Sequence, residues 1–289
     1  MKAAPFALST PESVEEAVAC LTEHGDDARL LAGGQSLMPL LAMRRQSPRV
    51  LVDLRRLTDL THIVTSDGHV EIGAMTTQRA VERNPGIAAD VRLLALAVPQ
   101  IAHVTVRNQG TIGGSIAHAD PSAELPAVAL ATGATMIVIG PGGRRSIAAS
   151  DFFVDAHATA MARDELLAGI HFPLDPPGSG WAFEEVSRRP GDVAIVGVAA
   201  MVRLDGERRI AEARIVLCSV APTPVRATEA ETVLGGNSPS AELFADCATA
   251  ATVGIDPPSD LNGTSAYRRH ITAVLVRRAL TRAVDRAAG

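Results

Sequence analysis

The sequence predicts an α+β protein. Short β-type apolar runs alternate with helix-like segments through the first 176 residues. A Pro/Gly cluster, Asp175-Pro176-Pro177-Gly178-Ser179-Gly180, then interrupts the chain. Beyond it, three strand-like runs precede three helix-like ones, the order expected of a separate α+β domain. The 289 residues suffice for two or three modest cores. Hydrophobic residues make up 47% and aromatic residues only 3%, so Ala, Val, Leu and Ile must fill those cores.

Residues 1–55 are expected to form a small α+β unit. Ser13 can cap a helix whose Val14, Ala17, Val18 and Leu21 share one face. Leu30-Leu31 reads as a short buried strand, Ser36 as the N-cap of a helix reaching Met43, and Leu51-Val52-Asp53-Leu54 as the next strand. Residues 56–176 form a second unit. Ile63-Val64 and Val70-Glu71-Ile72 flank Asp67-Gly68, a hairpin signal. Asp120-Pro121 reads as an N-cap followed by proline at the first helical position. Thr135–Ile139 and Leu166–Phe172 read as strands, the first closed by Gly140-Pro141-Gly142-Gly143. In residues 177–289, strands are expected over Trp181–Ser187, Val193–Leu204 and Arg214–Ser219. Helices follow at Arg226–Leu234, Pro239–Val253 and Ser265–Ala287, the last with Tyr267, Ile271, Val274 and Leu275 as its apolar stripe.

Composition excludes several classes of function. A net charge of −5 argues against general nucleic-acid binding. Arg268, Arg269, Arg277, Arg278, Arg282 and Arg286 are a local exception, read as a solvated face or a partner-subunit surface. Cys20, Cys218 and Cys247 lie far apart and match no zinc or iron–sulfur spacing, so they read as reduced thiols of a cytoplasmic protein. No metal site is expected, because neither His103 nor His118 is accompanied by ligands at a recognised spacing. Pro5, Ser9, Thr10 and Pro11 interrupt any signal-peptide core, and the apolar runs at 126–139 and 193–202 are too short to cross a bilayer.

Two loops carry the chemistry. One is Leu31-Ala32-Gly33-Gly34-Gln35-Ser36-Leu37; the other is Thr111-Ile112-Gly113-Gly114-Ser115-Ile116-Ala117-His118-Ala119-Asp120-Pro121. Each offers backbone amides without intervening side chains ahead of an expected helix, which suits phosphate oxygens. Two such loops fit one diphosphate held from two sides, as in a dinucleotide such as FAD. No GxGxxG opens a helix after a strand and no GxxxxGK[ST] occurs, so neither a nicotinamide-type Rossmann site nor a P-loop is expected.

The motifs AGGQSL and TIGGSIAHADPSAELP resemble the flavin-binding motifs of the medium, FAD-binding subunits of molybdenum hydroxylases, relatives of bacterial carbon monoxide and xanthine dehydrogenases. The resemblance continues through Arg188-Arg189-Pro190-Gly191-Asp192-Val193-Ala194-Ile195-Val196, Thr223-Pro224-Val225-Arg226-Ala227, Tyr267-Arg268-Arg269-His270 and Arg277-Arg278-Ala279-Leu280. It implies two N-terminal subdomains of the vanillyl-alcohol-oxidase type that clamp FAD. A C-terminal three-stranded antiparallel sheet with helices follows. It places Leu31 to Leu37, Thr111, Gly113, Gly114, Ser115, Asp120 and Glu124 on the FAD, with Glu124 near the nucleotide half. Ile101, Leu167, Arg189 and Asp192 fall around the isoalloxazine ring. Bland readings stand beside these: turn and cap for the loops, capping for Asp120, a helix-dipole partner for Glu124, core for Ile101 and Leu167, a surface ion pair for Arg189 and Asp192. Ser115 stands where Asn or Asp is frequent, and Val193 where Phe is usual. The resemblance further implies a small subunit with two [2Fe–2S] clusters and a large molybdenum (molybdopterin) subunit, in a dimer of heterotrimers. The chain itself would move electrons from the clusters through FAD to an external acceptor. A self-contained FAD-dependent oxidase is the alternative, with Asp192 the sole candidate base. An assembly protein that has lost FAD is a third reading, opposed by the intact glycines.

Overall fold

The computed structural model describes residues 2–288. The N-terminal unit is a three-stranded parallel sheet. Strand β1 (Ala7–Ser9) leads to helix α1 (Val14–His24), then β2 (Ala28–Leu31), α2 (Leu37–Ala42) and β3 (Val50–Asp53), with strand order β1-β3-β2. Ser13 caps α1 by accepting the Glu16 amide, and Ala17, Val18 and Leu21 are buried against the sheet. Ser36 does not cap α2. It already has helical φ and ψ, and its hydroxyl takes no capping hydrogen bond. An N-cap needs extended dihedrals to turn its side chain back onto the helix.

The second unit is built on an antiparallel sheet. Strands β4 (Ile63–Ser66) and β5 (His69–Gly73) meet at the Asp67-Gly68 turn. Helices α3 (Gln78–Arg83), α4 (Pro85–Asp90), α5 (Arg92–Ala97), α6 (Val104–Arg107), α7 (Ile112–His118) and α8 (Glu124–Thr132) follow. Then come β6 (Thr135–Gly140), β7 (Gly143–Ala148), α9 (Ala149–Phe152), the two-stranded β8 (Phe153–Asp155) and β9 (Ala158–Thr159), and β10 (Leu166–Pro173). The sheet order is β4-β5-β10-β6-β7. Asp120 does not open a helix. Its carboxylate accepts the Ser122 amide at 2.9 Å in a local turn, and α8 starts at Glu124 after Ala123.

The Pro/Gly segment at 175–180 is tied down rather than loose. The Asp175 amide donates to Asp90 O at 2.8 Å, and its carboxylate accepts the Arg92 amide at 2.9 Å. Beyond it lie β11 (Ser179–Val186), β12 (Val196–Leu204), β13 (Ile210–Cys218) and a two-residue β14 (Val225–Arg226), all antiparallel. The sheet thus gains a fourth, minimal strand beyond the three expected. Helices α10 (Thr228–Leu234), α11 (Ala241–Ala250) and α12 (Ser265–Ala288) cover one of its faces.

The other face of that sheet packs Trp181, Phe183, Ala199, Met201, Val216 and Cys218 into the same core as Leu125, Val128 and Met136. Helix α8 is therefore apolar all round, as a helix wedged between two sheets must be. The face of α12 also departs from expectation. Arg268, Thr272, Leu275, Val276, Ala279, Leu280 and Ala283 are buried, whereas Tyr267 is exposed. The stripe is set by small residues and one buried arginine, which an apolar count does not register.

Candidate functional site

The two glycine loops lie side by side. A Cβ on Gly33 would collide with the carbonyl of Gln109, just ahead of Thr111, and one on Gly114 would stand 3.5 Å from the Ala32 side chain. One site is therefore built from both loops. Gly34 has φ +71°, the left-handed conformation that glycine adopts without strain.

The loops differ in what they leave free. Among the described residues, the amides of Gly33, Gly34, Gln35, Ser36 and Leu37 donate to no acceptor in the chain. They form a run of orphan donors entering α2, whose first turn adds its own. In the second loop the amides are spent. Ile112 N donates to Thr76 O at 3.0 Å and Gly113 N to Ala74 O at 2.9 Å. Gly114 N donates to Thr111 Oγ1 at 2.9 Å, and Ser115 N to Thr111 O at 3.2 Å. The expectation that this loop holds phosphate through bare amides at 112–115 is thereby corrected: Thr111 caps α7 with the hydroxyl read as a ligand group. The end of β5 anchors the loop instead, and a Cβ on Gly113 would strike Ala74. What the loop still presents is Ser115, half-buried, with no partner for its hydroxyl among the described residues.

Glu124 is buried at the start of α8, 7% exposed, beside Glu185 of β11. Burial pushes the Glu124 carboxyl up to about 7. Burial and then the charge of Glu124 push Glu185 up to about 8. Two carboxyls that share a buried site cannot both ionise cheaply, so the pair retains a proton at neutral pH. The Cys218 thiol beside them is pushed well up by burial and then by both carboxylates. Glu185 was not singled out in the sequence. Its strand alternates normally, and only the β11 register brings it to Glu124.

Ile101 is 7% exposed and Leu167 4%, both within the central apolar core. Ile101 belongs to a turn clamped by Arg107, whose Nη1 donates to the carbonyls of Ile101 at 2.8 Å and Ala102 at 2.9 Å, while Glu82 fixes the rest of the guanidinium. The loop carrying Arg188, Arg189 and Asp192 reaches over this turn: a Cβ on Gly191 would stand 2.8 Å from His103 Nδ1. A pocket of about 270 Å³ lies between the two segments, with Glu185 and Arg107 in its wall. Arg189 and Asp192 are exposed, and among the described residues neither makes an ion pair, so the surface ion-pair reading fails. The Arg189 carbonyl instead holds the turn, accepting Asp192 N at 3.0 Å and Ser187 Oγ at 2.8 Å.

The C-terminal domain is locked to the second loop through Ser219. Its amide donates to Pro121 O at 2.8 Å, and its hydroxyl lies 2.8 Å from that of Ser122. Arg268 closes the network from α12. It is 1% exposed, pairs with Asp260 at 2.7 Å, and donates to Ile195 O and to the Ser219 hydroxyl. Arg282 pairs with Glu184, and Arg286 donates to Trp181 O. These three arginines are therefore internal ties, not members of a solvated face.

Residues 4–175 match the family described as the FAD binding domain in molybdopterin dehydrogenase, and residues 181–283 match the CO dehydrogenase flavoprotein C-terminal domain. A subunit of the 6-hydroxypseudooxynicotine dehydrogenase complex of Paenarthrobacter nicotinovorans is 39% identical, over 99% of this chain and 97% of the relative. Carbon monoxide dehydrogenase from Hydrogenophaga pseudoflava superposes with a TM-score of 0.96 at 39% identity, over 99% of both chains. Quinoline 2-oxidoreductase from Pseudomonas putida 86 also gives 0.96, at 36% identity over 100% of both chains.

Proposed function

This chain belongs to the family of FAD-binding medium subunits of molybdenum hydroxylases, and on that premise we propose how its residues divide the work. It is an FAD-binding, electron-transferring subunit of an oxidoreductase. FAD supplies the ability to exchange electrons singly with an iron–sulfur donor and singly or in pairs with an external acceptor.

The single observation that carries the site is the run of orphan amides from Gly33 to Leu37. Five consecutive donors at a helix entrance suit a diphosphate, and Gly34 keeps side chains out of its path. Leu31 and Ala32 set the loop on β2. Thr111, Gly113 and Gly114 shape the facing wall, and Ser115 offers a hydroxyl to the same ligand. Asp120 and Glu124 flank the nucleotide half. The protonated Glu124–Glu185 pair can donate a hydrogen bond there without adding a full negative charge beside phosphate. Ile101 and Leu167 give the ring apolar contact. Arg189 brings a positive charge to its edge, free of any partner carboxylate, and Asp192 tightens the turn that carries it.

We assign the boundaries 1–55, 56–176 and 177–289. The partners we propose are a small subunit with [2Fe–2S] clusters and a large molybdopterin subunit, assembled as a dimer of heterotrimers. We place the complex in the cytoplasm, since the three thiols form no disulfide and suit a reducing compartment. No described helix is long and apolar enough to cross a membrane.

Titration of the purified chain with FAD and with FMN tests the reading. One FAD should bind, acid should release it intact, and FMN should bind far more weakly because it lacks the diphosphate. A protein that cannot be reconstituted with FAD, or that prefers FMN, would overturn it.

A further inference from the structure

Away from the flavin site, three imidazoles and one carboxylate meet on a single face of the five-stranded sheet. Strand alternation puts His69 and Glu71 on the same face, opposite core residues Val70 and Ile72. The β5–β10 register sets His171 directly across from Glu71. His62, just before β4, reaches the same carboxylate. His62 Nε2 is 3.3 Å from Glu71 Oε1, and His171 Nε2 is 3.5 Å from Glu71 Oε2. The ligand atoms of His69, Glu71 and His171 all lie within 4.8 Å of one another.

We propose that His62, His69, Glu71 and His171 form a binding site for one late first-row divalent cation, zinc foremost. Imidazole nitrogen and carboxylate oxygen are the donor types these ions take. Zinc–nitrogen bonds of about 2.0–2.1 Å put tetrahedral ligands about 3.3 Å apart, the spacing His62 and His171 already keep from Glu71.

Two further observations point to a ligand. His171 Nε2 is buried with no hydrogen-bond partner, although such an atom ordinarily finds one. His62 is held as metal-bound histidines are: its Nδ1 faces the Asp59 carbonyl at 2.9 Å, which fixes the proton there and leaves Nε2 as a lone pair towards Glu71. His69 has the same arrangement, with Nδ1 3.3 Å from Asp67 O. Burial, and then the neighbouring His69, hold the His171 imidazole below its ordinary value, so it stands neutral as a ligand must. Arg144 is the one nearby competitor. It reaches Glu71 only at 3.9 Å on a side chain 59% exposed, so a cation can displace it. The residues are split between a pre-strand loop and two strands about 100 positions apart, which is why no sequence spacing announces them.

The site would fasten β4, β5 and β10 together, and β5 runs on to the Ala74 carbonyl that anchors the second glycine loop. The test uses the full chain, stripped with chelator and titrated with ZnCl₂ by calorimetry and with Co²⁺ by visible absorption. One equivalent should bind, the Co²⁺ spectrum should be tetrahedral, and thermal stability should rise with zinc. Glu71→Gln and His171→Ala should each weaken binding roughly 100-fold, and His62→Ala at least tenfold, the scale of lost ligand-sphere contacts. His118→Ala, in the other His/Asp cluster with Asp120 and His157, should leave zinc affinity unchanged. Absence of stoichiometric binding, unchanged affinity in Glu71→Gln and His171→Ala, or loss of binding in His118→Ala would each overturn the proposal. Circular dichroism of each variant separates a lost ligand from a lost fold.

Discussion

At Gly34 the absence of a side chain does two things at once. It permits φ +71° and it leaves the amides on either side open to solvent. Gly34→Val should raise the FAD dissociation constant at least 100-fold while leaving far-UV circular dichroism nearly unchanged, because the strain is confined to a surface loop. Ser36→Ala should shift the melting free energy by less than about 0.5 kcal/mol, since the hydroxyl caps nothing. A Val variant that binds like the wild type would remove the first loop from the site. The contrast shows what a sequence discloses at this scale. A paired glycine before a helix is informative by identity alone. Whether a serine caps depends on its dihedrals, and Thr111, not Ser36, adopts the capping geometry. Likewise, no motif reveals that the amides of one loop are spent and those of the other free. That follows from where β5 ends.

Among the elements, β11 and α12 carry the charges that sequence misplaces. Most strands and the hairpin at Asp67-Gly68 were legible, because periodicity and turn chemistry are local. The buried face of α12 was not, because Arg268 looks like a surface residue until Asp260, Ile195 O and Ser219 converge on it. Removing one partner of a buried pair strands the other, so Arg268→Met should cost about 3–5 kcal/mol in chemical denaturation. Asp260→Asn, whose site is half open, should cost less. The Glu124–Glu185 pair makes a pH-dependent prediction. Both carboxyls lie above their ordinary 4.5, near 7 and 8, so the folded state binds protons the unfolded state has released. Their stabilising contribution is complete below the unfolded value and is lost as pH rises through 7 to 8. Stability should therefore fall by on the order of 2 kcal/mol between about pH 5 and pH 9. Glu185→Gln, which cannot ionise, should flatten that decline. A denaturation midpoint that falls equally in both proteins would place the titration elsewhere.

At the scale of the whole molecule, one continuous core joins the FAD domain to the C-terminal sheet through α8, and the second loop is pinned by Ser219 from beyond that seam. The chain is thus a rigid holder for one cofactor, and it must obtain electrons from outside. Its cysteines cannot supply a cluster: Cys218 lies in the central core, Cys247 under α12, and Cys20 against the N-terminal sheet. Nor does it offer a base for oxidising an organic substrate directly. Asp192, the candidate named from sequence, is exposed at the tip of a turn, and the carboxyls nearest the pocket keep a proton at neutral pH. FAD-loaded chain alone should accordingly show no turnover with purines, aldehydes, aromatic heterocycles or carbon monoxide and a dye acceptor. Chemical reduction with dithionite should still bleach its flavin. Adding the iron–sulfur and molybdenum partners should restore substrate-driven bleaching, with a rate that depends on partner concentration until the complex is saturated. The Gly34→Val chain should assemble yet fail to bleach. Robust substrate oxidation by the isolated chain would reverse the assignment: the 270 Å³ pocket between the Ile101 turn and the Arg189 loop would then be a substrate site, and the protein an oxidase in its own right.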